Sequence, residues 1–215
     1  MGNKLCKNKR VHNIICEITS IPICDQDQRL EGLNLLDQTV PLESDDAYHF
    51  RHLNADPSQN VFTLRNNEEE LIGAMCVKSQ KIGKCWFVEG LGIHEKFRKR
   101  GYSTLFMKRM SWHLSKKNGK TALFLLDAVS IQAFYEKIGM QTIRDENETN
   151  WSEEACDRLR EEVGNYPWKA ILSQEYGKEG MLPVKYCILH EKDSYNKVRL
   201  QELSDSMAIE IAKIT

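Results

Sequence analysis

The sequence predicts an α/β fold, an α+β arrangement around one mixed sheet. Three observations carry this. Three strand-like runs with short connections fill Val61–Ile93, the pattern of an antiparallel meander. After Gly101 the apolar spacing changes to every fourth residue, one face of an amphipathic helix. The run "TALFLLDA" then follows, continuous and apolar, as strands buried on both faces are. Strand, helix and buried strand make a βαβ unit, so the two strands flanking the helix must be parallel.

Taken in order, residues 1–10, "MGNKLCKNKR", read as a flexible basic start. Gly2 opens something like a myristoylation signal, but Cys6 stands where Ser or Thr belongs. Residues 11–191 read as a single domain. Val11–Ile21 is rich in β-branched residues and predicts a strand. Leu30, Leu33, Leu35 and Leu36 predict a helix over Asp25–Asp37, and "PLESDDAYHFRHL" a second, short one. The meander strands are Val61–Asn66, Leu71–Ser79 and Cys85–Ile93. In the helix after Gly101 the stripe is Tyr102, Phe106, Met110 and Leu114, and Asn118-Gly119 supplies the stop. After the buried strand, Ser130–Gly139 predicts a helix capped by Gly139, and "MQTIRD" a strand. Residues 146–183 form a helical insert. In it Ser152 is a good N-cap, Glu153 and Glu154 suit the first turn, and Trp151 can staple onto Cys156. Val184–Glu191 predicts a last strand. Residues 192–215 carry Leu200, Leu203, Met207, Ile211 and Ile214 at helical spacing. That amphipathic stripe needs covering, by its own domain or by a second copy in a homodimer.

Composition excludes several classes. With 30 basic and 31 acidic residues the net charge is −1, so any anion site must be local, and a nucleic-acid surface is not expected. No apolar run is long enough for a bilayer, and the N-terminus lacks the apolar core of a secretory signal. The seven cysteines are odd in number, none pair as CxxC and no His cluster accompanies them. Buried thiols in a reducing, cytoplasmic setting, with no metal, are the expectation.

One loop carries chemistry: "GLGIHEKFRKRGYST" joins the third meander strand to the amphipathic helix. A helix N-terminus has N–H groups outside the hydrogen-bond ladder and a positive dipole end. Gly101 lets a phosphate approach the backbone, Ser103 and Thr104 offer hydroxyls, and Arg98 and Arg100 offer charge-assisted bonds. A solvated turn would also suit such residues. Cations at a helix start nevertheless oppose the dipole, and a bound anion relieves that.

The segment "LGIHEKFRKRGYSTLFMKRM" resembles the signature of the GNAT superfamily of acetyl-CoA-dependent N-acetyltransferases. That motif, Arg/Gln-x-x-Gly-x-Gly/Ala after a strand ending Leu-x-Val, reads here Arg98-Lys99-Arg100-Gly101-Tyr102-Ser103 after Leu91-Gly92-Ile93. "FYEKIGM" (Phe134–Met140) is similar to a later helix of the family. The resemblance is strongest over about residues 60–145. It implies helices on both faces of the sheet and a V-shaped splay between the fourth and fifth strands that takes acetyl-CoA. Backbone groups around Leu91, Gly92 and Ile93 would meet the pantetheine. Those of Arg98, Lys99, Arg100, Gly101, Tyr102, Ser103 and Thr104 would hold the pyrophosphate. A primary amine would attack the thioester directly. Tyr135 matches the family's general acid.

Glu89 lies two and four residues before Leu91 and Ile93; alternation puts it on their side of the sheet and makes it a candidate base. Asp127 is a second candidate base or a helix N-cap, and His94 points to solvent. The chain departs from the family at Ser103, where Gly or Ala is usual, and at Ala128, where Asn is common, which puts one CoA contact in doubt. A non-catalytic CoA-binding sensor or scaffold is the alternative reading.

Overall fold

The computed structural model describes residues 16–40, 50–80, 84–127, 132–145, 147–148, 150–176 and 183–189. Its strands are β1 (Cys16–Ile21), β2 (Gln59–Asn66), β3 (Leu71–Gln80), β4 (Cys85–Ile93), β5 (Thr121–Leu126), β6 (Gln141–Arg144) and β7 (Val184–Leu189). The helices are α1 (Gln26–Thr39), α2 (Tyr102–Asn118), α3 (Gln132–Lys137), α4 (Glu153–Val163) and α5 (Trp168–Tyr176). One seven-stranded sheet runs in the order β1-β2-β3-β4-β5-β7-β6. β2 to β4 form the expected antiparallel meander, β1 adds a fourth antiparallel strand beside β2, and β4 pairs with β5 in parallel. β7 then enters between β5 and β6, antiparallel to both.

Alternation along the strands builds a core on each face. Trp86 and Val88 of β4 and Leu123 and Leu125 of β5 meet α2 and α3. Cys85, Phe87, Ala122 and Phe124 face the other way, toward α4 and α5. On that same side α1 lays Leu33 and Leu36 over Val61, Ala74 and Cys76. The predicted stripe of α2 is fully used: Tyr102, Phe106, Met110 and Leu114 are each buried. The helix ends at Gly119, which takes a positive φ of 69° and donates its N–H to Ser115 O at 2.9 Å.

Within the predicted helical insert, α4 and α5 are no appendage, because they supply one wall of the second core. Ser152 caps α4 by accepting from Ala155 N–H at 3.3 Å, and Trp151 and Cys156 share the buried cluster, as the staple requires. A buried Arg29 on α1 donates to the carbonyls of Leu53, Asn54 and Gln59, tying the 3₁₀ turn Phe50–Leu53 to the helix. Of the expected short helix before β2, only that 3₁₀ turn lies within the described residues. The start of the predicted first strand (residues 11–15), the N-terminal ten residues and the amphipathic stripe after residue 192 lie outside them. Among the described residues no helix is long and apolar enough to cross a membrane.

Candidate functional site

The two parallel strands part company. Pairing of β4 with β5 runs from Cys85↔Ala122 to Val88↔Leu125 and stops there, while β4 continues to Ile93. The splay opens into a cleft of about 320 Å³. Thr39 and Val40 from the end of α1 line it, as do Glu89, Arg98, Ser103 and Tyr135.

A bulge shapes the β4 side of the cleft. Cys76 pairs with Gly90 but Val77 pairs with Val88, which leaves Glu89 as the extra residue. The expected alternation therefore fails here. Leu91 and Ile93 stand with Trp86 and Val88 on the α2 face. Glu89 instead has Gln59, Lys78 and Glu175 as its electrostatic neighbours, which belong to the opposite face. Its side chain is open to the cleft, yet surrounding protein raises its pKa. Lys78 and a hydrogen bond from Gln59 oppose that rise, and Glu175 adds to it. Past the bulge, Gly90 and Gly92 are close-approach points. A Cβ on Gly90 would lie 2.6 Å from Phe50 Cζ, and one on Gly92 would lie 2.0 Å from Thr39 Oγ1.

Hydrogen-bond phase fixes which backbone groups face the cleft. His94 N–H donates to Ile72 O at 2.9 Å, so the same edge of β4 bonds β3 at Gly92 and Gly90. Leu91 and Ile93 must then direct their N–H and C=O groups toward the splay. The Ile93 carbonyl there accepts from Arg98 Nε at 3.1 Å.

The loop leaving β4 is a 3₁₀ turn (Glu95–Phe97) followed by a tight bend. Lys99 takes a φ of 61° and Gly101 a φ of 83°, both left-handed. Gly101 is the N-cap of α2 and has no side chain to close the helix end. The α2 ladder opens with Leu105 N–H donating to Gly101 O at 3.1 Å, and no acidic residue sits in the first turn. The Ser103 and Thr104 amides thus lie in the open first turn, beside exposed Arg98, Lys99 and Arg100. Lys96 is otherwise engaged, paired with Glu70 and lying over the Phe97 ring at 5.0 Å. The Tyr102 side chain goes into the core against Phe97, so this residue can offer a ligand only its backbone. His94 is exposed, as expected, and its Nδ1 accepts from Lys96 N–H.

Across the cleft, Tyr135 on α3 is only 5% exposed. Burial raises its pKa, and the charge of Asp127 adds to the rise, so the phenol keeps its proton. α3 ends in a Schellman motif: Met140 N–H donates to Tyr135 O at 3.0 Å and Gly139 N–H to Glu136 O at 2.9 Å, with Gly139 at a φ of 91°. Asp127 follows β5 and is fully buried, with Lys185 Nζ at 3.8 Å from Oδ2. The helix start it is expected to cap, residues 128–131, lies outside the described residues. Among the described residues no group of three or more His, Cys, Asp or Glu side chains could hold a metal.

The pattern of the Acetyltransferase (GNAT) family matches residues 28–140, from α1 through α3. This chain belongs to the GNAT family of acetyltransferases. No curated protein matches it. Among solved structures, Tetrahymena GCN5 is 17% identical with a TM-score of 0.56, over 81% of this chain and 97% of that one. The ribosomal-protein-S18-alanine N-acetyltransferase from Escherichia coli is 10% identical with a TM-score of 0.50, over 82% and 95%. At these identities the likeness is one of fold, and it agrees with the mixed sheet and its β4–β5 splay.

Several features of this candidate site escaped sequence reasoning. The bulge had a signal, since two glycines inside a strand, "VEGLGI", mark a bulge or a close approach. Thr39 and Val40 had none, because nothing in α1 announces which end meets the cleft.

Asp127 also yields a pH prediction. Burial pushes its carboxyl up from 3.8 to about 6, against the opposing pull of Lys185. The folded state therefore binds this proton more tightly than the unfolded chain does. The associated stability is present below pH 3.8 and is lost as pH rises through about 6. Melting temperatures of the parent and Asp127→Asn, taken across that window, should move in the variant's favour as pH rises. A constant gap would remove Asp127 from the acid-range stability.

Proposed function

We propose that this chain moves the acetyl group of acetyl-CoA to a primary amine by direct attack, without an acyl-enzyme. The observation that carries the reading is the open β4 edge, with the Arg98–Thr104 turn at one end of the splay and Tyr135 across it. The residues fit the co-substrate. Leu91 and the Ile93 N–H offer amide groups to an amide-bearing chain, and an uncapped helix start flanked by basic residues suits a pyrophosphate. Acetyl-CoA supplies the activated thioester.

In this reading Glu89 takes a proton from the substrate ammonium, directly or through water, and frees the neutral amine to attack. Its raised pKa brings it closer to the working range of a base. As the amine nitrogen bonds to the carbonyl carbon, the carbon–sulfur bond breaks and Tyr135 gives its proton to the departing thiolate; the second proton leaving the nitrogen as the amide forms restores the phenol through water. The cleft's chief contribution is to hold amine and thioester at attack distance.

Tyr135→Phe tests the acid. The expected result is a fall in kcat of about 10²-fold with little change in acetyl-CoA affinity. Equal rates in parent and variant at every pH would remove Tyr135 from the mechanism. The acceptor is sought by measuring CoA release across polyamines, aminoglycosides, amino acids and peptide N-termini. Tight acetyl-CoA binding with no release on any of them would favour a CoA-binding sensor or scaffold instead.

A further inference from the structure

Lys185 occupies a place where a lysine is out of character. It lies in the middle of the sheet on β7, paired with Leu125 of β5 and Thr142 of β6, and is 2% exposed. Its neighbours along the same face, Cys187 and Leu189, pack with the apolar core. An apolar side chain there would be as stable or more so, since a buried charge is held only by its partners. Those partners are specific. Nζ lies 2.6 Å from Thr142 Oγ1, 2.9 Å from Glu136 Oε1 and 3.8 Å from Asp127 Oδ2.

Two of the three contacts belong to the sheet side, on β6 and just past β5. The third belongs to α3, at the residue following Tyr135. α3 has only six residues, little more than a turn and a half. Its Schellman motif fixes the local backbone but does not by itself set the distance of the helix from the sheet. The Lys185–Glu136 bond reaches from the sheet to the helix.

We propose that Lys185 is a positioning residue: through Glu136 it tethers α3 to the sheet and sets where the Tyr135 hydroxyl stands in the cleft. The effect on turnover rests on the reading of Tyr135 as proton donor; the tether itself does not. Asp127 supports the arrangement from below. Its buried carboxyl faces Lys185 and acts on the Tyr135 phenol, which binds the three groups into one electrostatic unit.

The tether is tested from its exposed end, in the full chain. The Glu136 side chain is 61% exposed, so Glu136→Ala cuts the link from the solvent side while Thr142 and Asp127 still hold Lys185 Nζ. Glu136→Gln keeps an oxygen within reach of Nζ. In protein labelled with ¹³C-tyrosine, the Tyr135 ring signal is assigned by its loss in Tyr135→Phe. The expected result is a shifted ring signal in Glu136→Ala and its return in Glu136→Gln. With an acceptor amine in hand, kcat should fall about tenfold at unchanged KM for acetyl-CoA, with the melting temperature lowered by about 2–4 °C, because Thr142 and Asp127 still hold Nζ.

A lowered melting temperature with an unmoved Tyr135 signal would make the contact merely structural and overturn the proposal. So would an unmoved signal with unchanged kcat. A shifted signal with unchanged kcat, in an enzyme where Tyr135→Phe is equally silent, would uphold the tether and refute the acid role of Tyr135.

Discussion

An Arg100→Glu, Gly101→Glu double variant should lose acetyl-CoA affinity by about 100-fold or more while still unfolding cooperatively. Charge-assisted hydrogen bonds are worth about 1.5–3 kcal/mol each, so removing one guanidinium and crowding the helix start forfeits enough for that factor. Gly101 sits at a φ of 83°, where an L-residue costs roughly 1–2 kcal/mol. The added carboxylates also lie where the proposed pyrophosphate would sit. For the empty protein the change is milder, because a negative charge suits the start of α2 and offsets part of the strain. Calorimetric titration with acetyl-CoA reads the effect directly. An affinity equal to that of the parent would show that this loop does not hold the co-substrate, whatever happens to activity.

The second large effect concerns stability. Trp168→Ala should cost about 3–5 kcal/mol, the range for deleting a buried Trp side chain. Trp168 is fully buried and donates Nε1–H to Gly164 O at 3.3 Å. Its ring meets Phe124 of β5 and Tyr166, each with centroids 5.7 Å apart. Phe124 is the inward partner of Phe87 on the neighbouring strand, so the hole would open beneath the two strands that splay. Urea unfolding measures the loss. A cost below about 1 kcal/mol would mean that α4 and α5 rest on the sheet without completing its core.

The sequence was most legible where one physical cause acted alone. Period-four spacing fixed α2, because only a helix buries Tyr102, Phe106, Met110 and Leu114 together. The change of period at Gly101 located the turn, because left-handed backbone next to a helix start favours glycine. Legibility failed where two causes competed. Counting alternate residues from Leu91 back to Glu89 placed that carboxylate on the wrong side, because the count ran across a bulge. Lys185 stood in "VKYCILHE" as an unremarked polar position in a strand. Its burial follows from β7 running between β5 and β6, a pairing that no local pattern encodes. The same holds for Thr39. Its approach to Gly92 depends on how α1 crosses the meander.

The strand order has a consequence for synthesis. β5 is complete at Leu126, but its second neighbour, β7, begins only at Val184. Until those later residues leave the ribosome, the apolar edge of Thr121–Leu126 has no strand to cover it on that side. The nascent chain thus carries an adhesive edge through the translation of α3, β6, α4 and α5. This closure between residues far apart in the chain should come late and slowly.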